Sequence, residues 1–445
     1  MRVAVIGGGV GGLTAARALR DAGVDVIVME GTVRAGGVIG TSHVDGYVRE
    51  HAASSFLGGP TTGGRAMCDT LGVPVEKASA AAKQRWIYLD GKLRALPGSP
   101  LAFARSDLLT WRGKLDILRE PFRAGRGVAD ESMHAFAARR LGAEAARAII
   151  APFVTGIFAA DAHDVSLEAG FPKLAALDAE GGLIRGMLKG AAAGMIAKLR
   201  GHPIPSTPRG MWAPRGGMGA LIDALVKDLG DRVKLVDPVE SLAPADRGVS
   251  IDGERFDGAV LAIPAAMAIG IIDGMPELEA RLAGFTRSPV ALVYLGYPDT
   301  AVPHATEGFG VLVAQGEDVR VLGAVFESVV WPDRAPPGKM LLRCIYGGGR
   351  DPEVTRLDDA ALIALAQRDL AKVLGATGAA EHASVVRWAH GLPQYPVGHR
   401  DKVAQATVVA RGHRIALAGA DYRGAGVNDL CADAEVVVRE VLSWS

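Results

Sequence analysis

The chain has 445 residues, more than one hydrophobic core serves, so two or three domains are expected. Lys plus Arg and Asp plus Glu number 49 each, a formal net charge of zero, which argues against bulk electrostatic binding to nucleic acid. Apolar residues make up 49%, ample for large cores, yet no uninterrupted apolar run reaches the ~20 residues that span a bilayer. The expectation is a protein that is soluble or lies on a membrane surface. Cys68, Cys344 and Cys431 stand far apart and form no metal spacing, so no bound metal and a reducing, cytoplasmic compartment are expected. The start, "MRVAVIGGG", runs straight into a strand pattern, and no targeting segment is expected there.

In chain order, Val3–Ile6 is a short buried-strand run. Gly7, Gly9 and Gly12 then fit G-x-G-x-x-G, and Leu13–Ala22 has helix-forming composition. Val24–Met29 is a second strand that ends on Glu30, 18 residues past Gly12, close to the spacing of a ribose-binding acid. Gly7 permits the tight turn, Gly9 lets backbone approach a pyrophosphate, and Gly12 lets the helix pack on the strand. The helix start offers free N–H groups to phosphate. Gly7, Gly8, Gly9, Val10, Gly11 and Gly12 are therefore the candidate phosphate loop, with Glu30 on the ribose. "EGTVRAGG" next places Arg34, Gly36 and Gly37 in a pattern that resembles the FAD-containing amine oxidase superfamily. That resemblance favours FAD over NAD and implies that Arg34 and its glycines extend the site around the adenosine and diphosphate.

"QRWIYLDGKLRALP" alternates like a hairpin around Asp90-Gly91. From Pro100 to about Gly201 the pattern is helical, with Arg and Lys among apolar residues. Near 205–270 a glycine turn at Gly216-Gly217, a helix over Ala220–Leu229 and a strand lead to Val239. The superfamily resemblance implies that this valine lies against the adenine. From Pro289 to Gly349 strand patterns dominate, as for a mostly antiparallel sheet, and a helix is expected over 358–375. "RWAHGLPQYPVGH" reads as a proline-shaped loop. Its histidines, His390 and His399, lack a third ligand or a partner. Strand Ile415–Ala418 then leads through Gly419, Gly424 and Gly426 to a helix beginning near Asn428. Its N-terminus could face negative charge on a reduced flavin.

Over nearly all its length the chain resembles the protoporphyrinogen oxidase family, in its bacterial branch with coproporphyrinogen-oxidising members. The motifs are "VIGGGVGGLTAA", "AAKQRWIYLDGKLRALP", "TGIFAADAHDVSLEAGFPKL", "LGAVFESVVWPDRAPPGKMLL", "RWAHGLPQYPVGH" and "DYRGAGVNDL". The resemblance implies an oxidation of a porphyrinogen by O2 with release of hydrogen peroxide, hydride passing from a ring methylene to flavin N5. No side chain need be catalytic. It implies that Arg85 binds a propionate and that Gly156 lines the macrocycle pocket. Trp331 stands where relatives carry Phe and is expected to stack on the macrocycle or pack in the core. Trp388 walls the flavin, the stretch Ala52, Ala53, Ser54 and Ser55 runs past it, and Gly419, Ala425, Gly426, Val427 and Asn428 form the helix start over it.

Three departures stand out: Ala52-Ala53 for Gly-Pro, Ala160 for Gly, and Asp421, which would be unwelcome beside an anionic flavin. Two alternatives follow, another flavoenzyme such as an amine oxidase or desaturase, and a non-catalytic FAD-binding paralogue. The fold class expected is α/β: a Rossmann-like FAD-binding domain (1–75, 205–275, 385–445), a mixed antiparallel-sheet substrate domain (76–98, 276–384) and a helical domain (99–204). The resemblance implies that the helical part associates with membrane, peripherally on the inner face of the cell membrane, and Trp111 and Phe103 with flanking Arg and Lys suit such a surface. A homodimer is also entertained.

Overall fold

A computed structural model describes residues 1–59, 63–123, 129–199, 210–305 and 307–444. Five parallel strands form the nucleotide-side sheet, in the order Val233–Leu235, Asp25–Glu30, Arg2–Ile6, Gly258–Leu261, Ile415–Leu417. Arg2–Ile6 sits at the point where the winding reverses, and ligands of such sheets bind beyond the carboxyl ends of the strands there. Both faces are covered, which explains the near-continuous apolar runs. Val3 and Val5 face the helices Val10–Asp21, Gly219–Leu229 and Val427–Leu442. Ala4 and Ile6 face a core shared with the small antiparallel sheet of Leu242–Ala245, Gly248–Ile251 and Glu254–Phe256. Leu13, Ala16 and Leu19 lock the first helix onto the sheet, at the one-turn spacing of a helix face.

The second sheet has seven strands, ordered His382–Pro393, Arg287–Pro298, Lys339–Gly347, Gly323–Phe326, Gly310–Val313, Trp86–Leu89, Lys92–Ala95. All pairs are antiparallel except Gly310–Val313 with Trp86–Leu89. The outer face buries Val293, Leu342, Cys344 and Phe326 under helix Asp359–Leu374. That helix starts on an Asp358 side-chain cap and stops at Gly375, close to the span expected. The inner face carries Leu292, Tyr294, Leu341 and Ile345 and looks toward the nucleotide-side lobe.

The segment Arg387–Pro393, expected to be a loop of the nucleotide domain beyond 385, is instead an edge strand of this sheet. Trp388 pairs with Val290 across a bulge between Ser288 and Val290. The shaped turn begins only at Gln394. The helical part packs on the other end of the sheet. There Ala143–Phe158 runs as one helix with a π turn at Ala146–Ile150, just before Pro152, which has no N–H to continue the regular ladder. The expected boundary at 204/205 lies outside the described residues. Among the described residues no helix is long and apolar enough to cross a membrane.

Candidate active site

The crevice at the ends of the parallel strands is made of glycines for steric reasons. A Cβ on Gly12 would stand 2.0 Å from the Gly7 oxygen, so the helix can lie this close to the strand only without one. A Cβ on Gly9 would meet nothing within 4 Å. The loop is therefore open on that side, as a cradle for a diphosphate requires. Gly9 caps the helix with no side-chain bond and the first turn holds no acid, so its N–H groups remain available to an anion. Gly8 and Val10–Gly11 complete the loop, and Gly11 abuts Gly419 so closely that a Cβ would stand 3.2 Å from its Cα.

Glu30 is held at the mouth. Its Oε2 accepts from the Gly8 N–H at 2.8 Å, and its Oε1 accepts from the Thr32 N–H and hydroxyl at 3.0 and 2.7 Å. Oε2 retains acceptor capacity for a ribose hydroxyl. Arg34 closes its own turn, donating to the carbonyls of Ala35, Gly37 and Ile39, while Gly36 donates to the Gly8 carbonyl at 2.7 Å. Arg34 thus shapes the turn that carries Gly36 and Gly37. Val239 is half-buried against the core that contains Ile27 and Met29.

The second helix start at the crevice is Val427, one residue before the start expected, with Gly426 as a cap that lends no side chain. Asn428 does not cap it. Its Oδ1 accepts from the Gly64 N–H and its Nδ2 donates to the Leu57 carbonyl, both at 2.8 Å. Asp429 is the acid of the first turn; burial pushes its carboxyl up, and the Gly426 backbone and Lys173 oppose that shift. Ala425 packs toward Phe158 of the helical part and Tyr395 of the turn after the edge strand. The departure at Asp421 is resolved by geometry: its carboxylate accepts from the Ala265 N–H and from Arg287 Nε, both at 2.7 Å. The charge is turned away and paired.

The segment after Glu50 is clamped by charges that the sequence reading missed. Glu50 is fully buried and accepts from Arg334 Nη2 at 2.8 Å, the Thr41 hydroxyl at 2.7 Å and the Met218 N–H at 2.9 Å. Arg334 also donates to Glu327 at 2.6 Å and to the Ser54 carbonyl at 3.0 Å. Arg343 donates to the Ala52 carbonyl at 2.7 Å and to Ser54 Oγ at 3.1 Å. Its Nε stands 3.0 Å from Glu327 Oε1, an ion pair without hydrogen-bond alignment. Burial pushes the Glu50 carboxyl up, and Arg334 opposes it. The Trp388 indole N–H donates to the His51 carbonyl at 2.7 Å, so this tryptophan braces the same segment. Ala53 packs on the nucleotide-side core and Ser55 is half-buried. The signal was present in the sequence, since Glu327 and Arg343 are charges inside otherwise apolar strand runs.

The macrocycle residues fare differently. Arg85 is exposed at the start of its strand, over the Phe309 ring at 5.4 Å, and has no ion pair among the described residues. Gly156 is pressed against the inner face, where a Cβ would stand 2.4 Å from Leu312. Trp331 is 1% exposed, enclosed with Ala82, Ala213 and Val330, and is a core residue with no face left for a ligand. His390 is exposed on the edge strand, while His399 is buried with its Nε2 donating to the Tyr422 carbonyl at 3.2 Å. The two do not meet.

The family model described as flavin containing amine oxidoreductase matches residues 10–434. Among curated proteins, the chloroplastic protoporphyrinogen oxidase of Oryza sativa is 31% identical over 90% of this chain and 80% of its own. The protoporphyrinogen oxidase of Bos taurus is 30% identical over 99% and 98%. The coproporphyrinogen III oxidase of Bacillus subtilis is 27% identical over 99% and 98%. Among solved structures, a candidate protoporphyrinogen oxidase from Exiguobacterium sp. 255-15 superposes with a TM-score of 0.83 at 22% identity, covering 100% of this chain and 99% of that one. Putrescine oxidase with bound putrescine reaches 0.70 at 16% identity, covering 100% and 99%, which shows a shared fold.

Two outcomes follow from this geometry. Gly9→Ala should keep the thermal midpoint within a few degrees yet weaken flavin retention at least tenfold, whereas Gly12→Ala should lose both; melting curves and flavin absorbance of the purified proteins distinguish them. Burial holds the His399 imidazole below its ordinary 6.5. The unfolded chain therefore takes up a proton that the folded one refuses, and stability falls as pH drops below about 6.5. His51, His134 and His382 are shifted the same way. Urea unfolding from about pH 7.5 to 5.5 should show a shallower loss for His399→Gln, by up to ~1.4 kcal/mol per pH unit; an unchanged slope would contradict the assignment.

Proposed function

This chain belongs to the family of flavin-containing amine oxidoreductases, and on that premise we propose that it oxidises a porphyrinogen, protoporphyrinogen IX or coproporphyrinogen III, to the porphyrin of haem biosynthesis. The observation that carries the reading is the near full-length likeness to relatives named for those two reactions. The cofactor is FAD, which when bound supplies the two-electron acceptor that O2 reoxidises with release of hydrogen peroxide. The residues present fit it: an open glycine cradle and two helix starts without side-chain caps.

The protein's own task is then binding, orientation and exclusion of water. The loop from Gly7 to Gly12 holds the diphosphate, and Glu30 the ribose. The segment from His51 to Ser55, fixed by Trp388, Arg334 and Arg343, sets the distance between the crevice and the inner face of the sheet. Gly156 and Leu312, in contact with each other, give the macrocycle an apolar wall to lie against. Arg85, exposed and without an ion pair among the described residues, supplies a fork for a propionate. The start of helix Val427–Leu442 favours negative charge on the acceptor.

Peripheral attachment to the inner face of the cell membrane is part of the proposal. Trp111, Leu115, Leu118 and Phe122 recur at one-turn spacing and are all exposed, with Arg112 and Arg119 beside them.

Anaerobic mixing with each porphyrinogen should bleach the flavin absorbance, and bleaching by neither would overturn the reading; bleaching by amines alone would favour an amine oxidase. Arg85→Ala should lower kcat/KM by roughly 10–100-fold, the size of a charged hydrogen bond. Flotation on anionic vesicles should be lost in the double variant Trp111→Ser, Phe122→Ser with detergent-assayed turnover intact; unchanged flotation would remove the membrane from the proposal.

A further inference from the structure

Arg350 stands out among the half-buried charges. Its guanidinium has five N–H donors, yet it makes no hydrogen bond and no ion pair among the described residues. The nearby acids are committed elsewhere. Both oxygens of Asp351 are taken by Arg320, each at 2.7 Å. Asp161 Oδ1 accepts from the His163 backbone and pairs with its ring, and Oδ2 accepts from Gln315 at 3.3 Å. Burial pulls the Arg350 guanidinium down from its ordinary value, and only the more distant pull of Asp161 and Asp351 opposes it. A partly desolvated cation left without an acceptor suits a ligand that brings one.

Its place in the fold says which ligand. Trp86–Leu89 and Gly310–Val313 run parallel, with Arg85 at their start. At their far end the Val313 N–H donates to Leu322, and Leu322 to Ile345. The strand Lys339–Gly347 ends there, and Gly348, Gly349 and Arg350 follow. The Gly349 N–H donates to the Ala159 carbonyl at 2.7 Å, directly after the helix that presses Gly156 onto Leu312. Arg85 and Arg350 therefore stand toward opposite ends of one sheet, with the Gly156 contact between them.

We infer that Arg350 is a second carboxylate-binding residue of the porphyrinogen site, opposite Arg85, and that it selects substrates with carboxylates on opposite edges of the macrocycle. This rests on the function proposed above. Coproporphyrinogen III carries propionates on all its pyrrole rings and can engage both arginines at once. Protoporphyrinogen IX carries them on neighbouring rings only and reaches one arginine.

The test compares the wild-type holoenzyme with Arg350→Ala and Arg350→Lys, by steady-state turnover of both porphyrinogens and by fluorescence titration with coproporphyrin III, which needs no turnover. Arg350→Ala should raise KM for coproporphyrinogen III about tenfold with kcat within about twofold, and leave protoporphyrinogen IX within about twofold. Arg350→Lys should recover part of the loss, and coproporphyrin binding should weaken in step. An unchanged KM, or equal losses for both substrates, would overturn the assignment. If the wild type oxidises neither porphyrinogen, the proposed function fails by itself. In that case weakened coproporphyrin binding by Arg350→Ala still supports the carboxylate site, and equal or absent binding by both proteins overturns it.

Discussion

Four buried charges hold the two halves of this molecule in register. Glu50, Arg334, Glu327 and Arg343 are each less than a tenth exposed, and isolated burial of any one would be costly. Together they compensate: two cations face two carboxylates, and the remaining donors go to the carbonyls of Ala52 and Ser54 and the hydroxyl of Ser54. A pair of this kind adds little over an apolar replacement, but loss of one member leaves an unpaired buried charge at about 3–5 kcal/mol. The value of the network is therefore positional. Glu50 reaches Met218 at the start of a nucleotide-side helix, while Arg334 and Arg343 belong to the substrate-side lobe. Tyr294 donates to the Glu50 carbonyl from the middle of the sheet. The segment between crevice and sheet has one low-energy course, and the gap available to cofactor and substrate follows from it.

What the sequence disclosed was what short-range geometry dictates. Gly12 must be glycine because of Gly7, five residues away, and the strand–loop–helix–strand order reads directly from the pattern. Helix Asp359–Leu374 carries its start and stop signals in its own residues, Asp358 and Gly375. Glu327 and Arg343 stood out as charges within apolar runs, but their pairing with Glu50 and Arg334 was not legible, because the four come from widely separated segments and form no motif. The stretch Arg387–His399 was misread for the same reason. Its prolines, glycines and histidines look like a loop, and only pairing with Arg287–Pro298, about ninety residues earlier, makes its first part, Arg387–Pro393, a strand. Trp331 shows a different limit: an aromatic at a family-like position can face a ligand or the core, and burial among Ala82, Ala213 and Val330 decides.

Asp421 shows how a departure that looks harmful is absorbed. Its position beside the C-terminal glycines would set a carboxylate against an anionic acceptor. The neighbouring helix Ala265–Ile269 offers a free N–H at Ala265, and Arg287 lies within reach, so the charge is spent on both. The positive end of helix Val427–Leu442 is not consumed by it, and the crevice keeps its preference for anions.

The helix Trp111–Leu118 inverts the ordinary rule of burial. Lys114 is 6% exposed, its ammonium donating to the Ala104 carbonyl at 2.9 Å, while Trp111 is 71% exposed. A helix selected for stability in water alone would turn the other way, with tryptophan and leucines inward and lysine outward. Thr110, whose hydroxyl caps the helix and whose N–H and hydroxyl donate to Glu144, fixes the rotation. Glu120, fully buried, takes the first N–H groups of helix Leu183–Leu199 and locks the end of the segment. Polar contacts on the inner side thus hold an apolar stripe outward. That outward stripe is the feature on which the proposed membrane attachment rests.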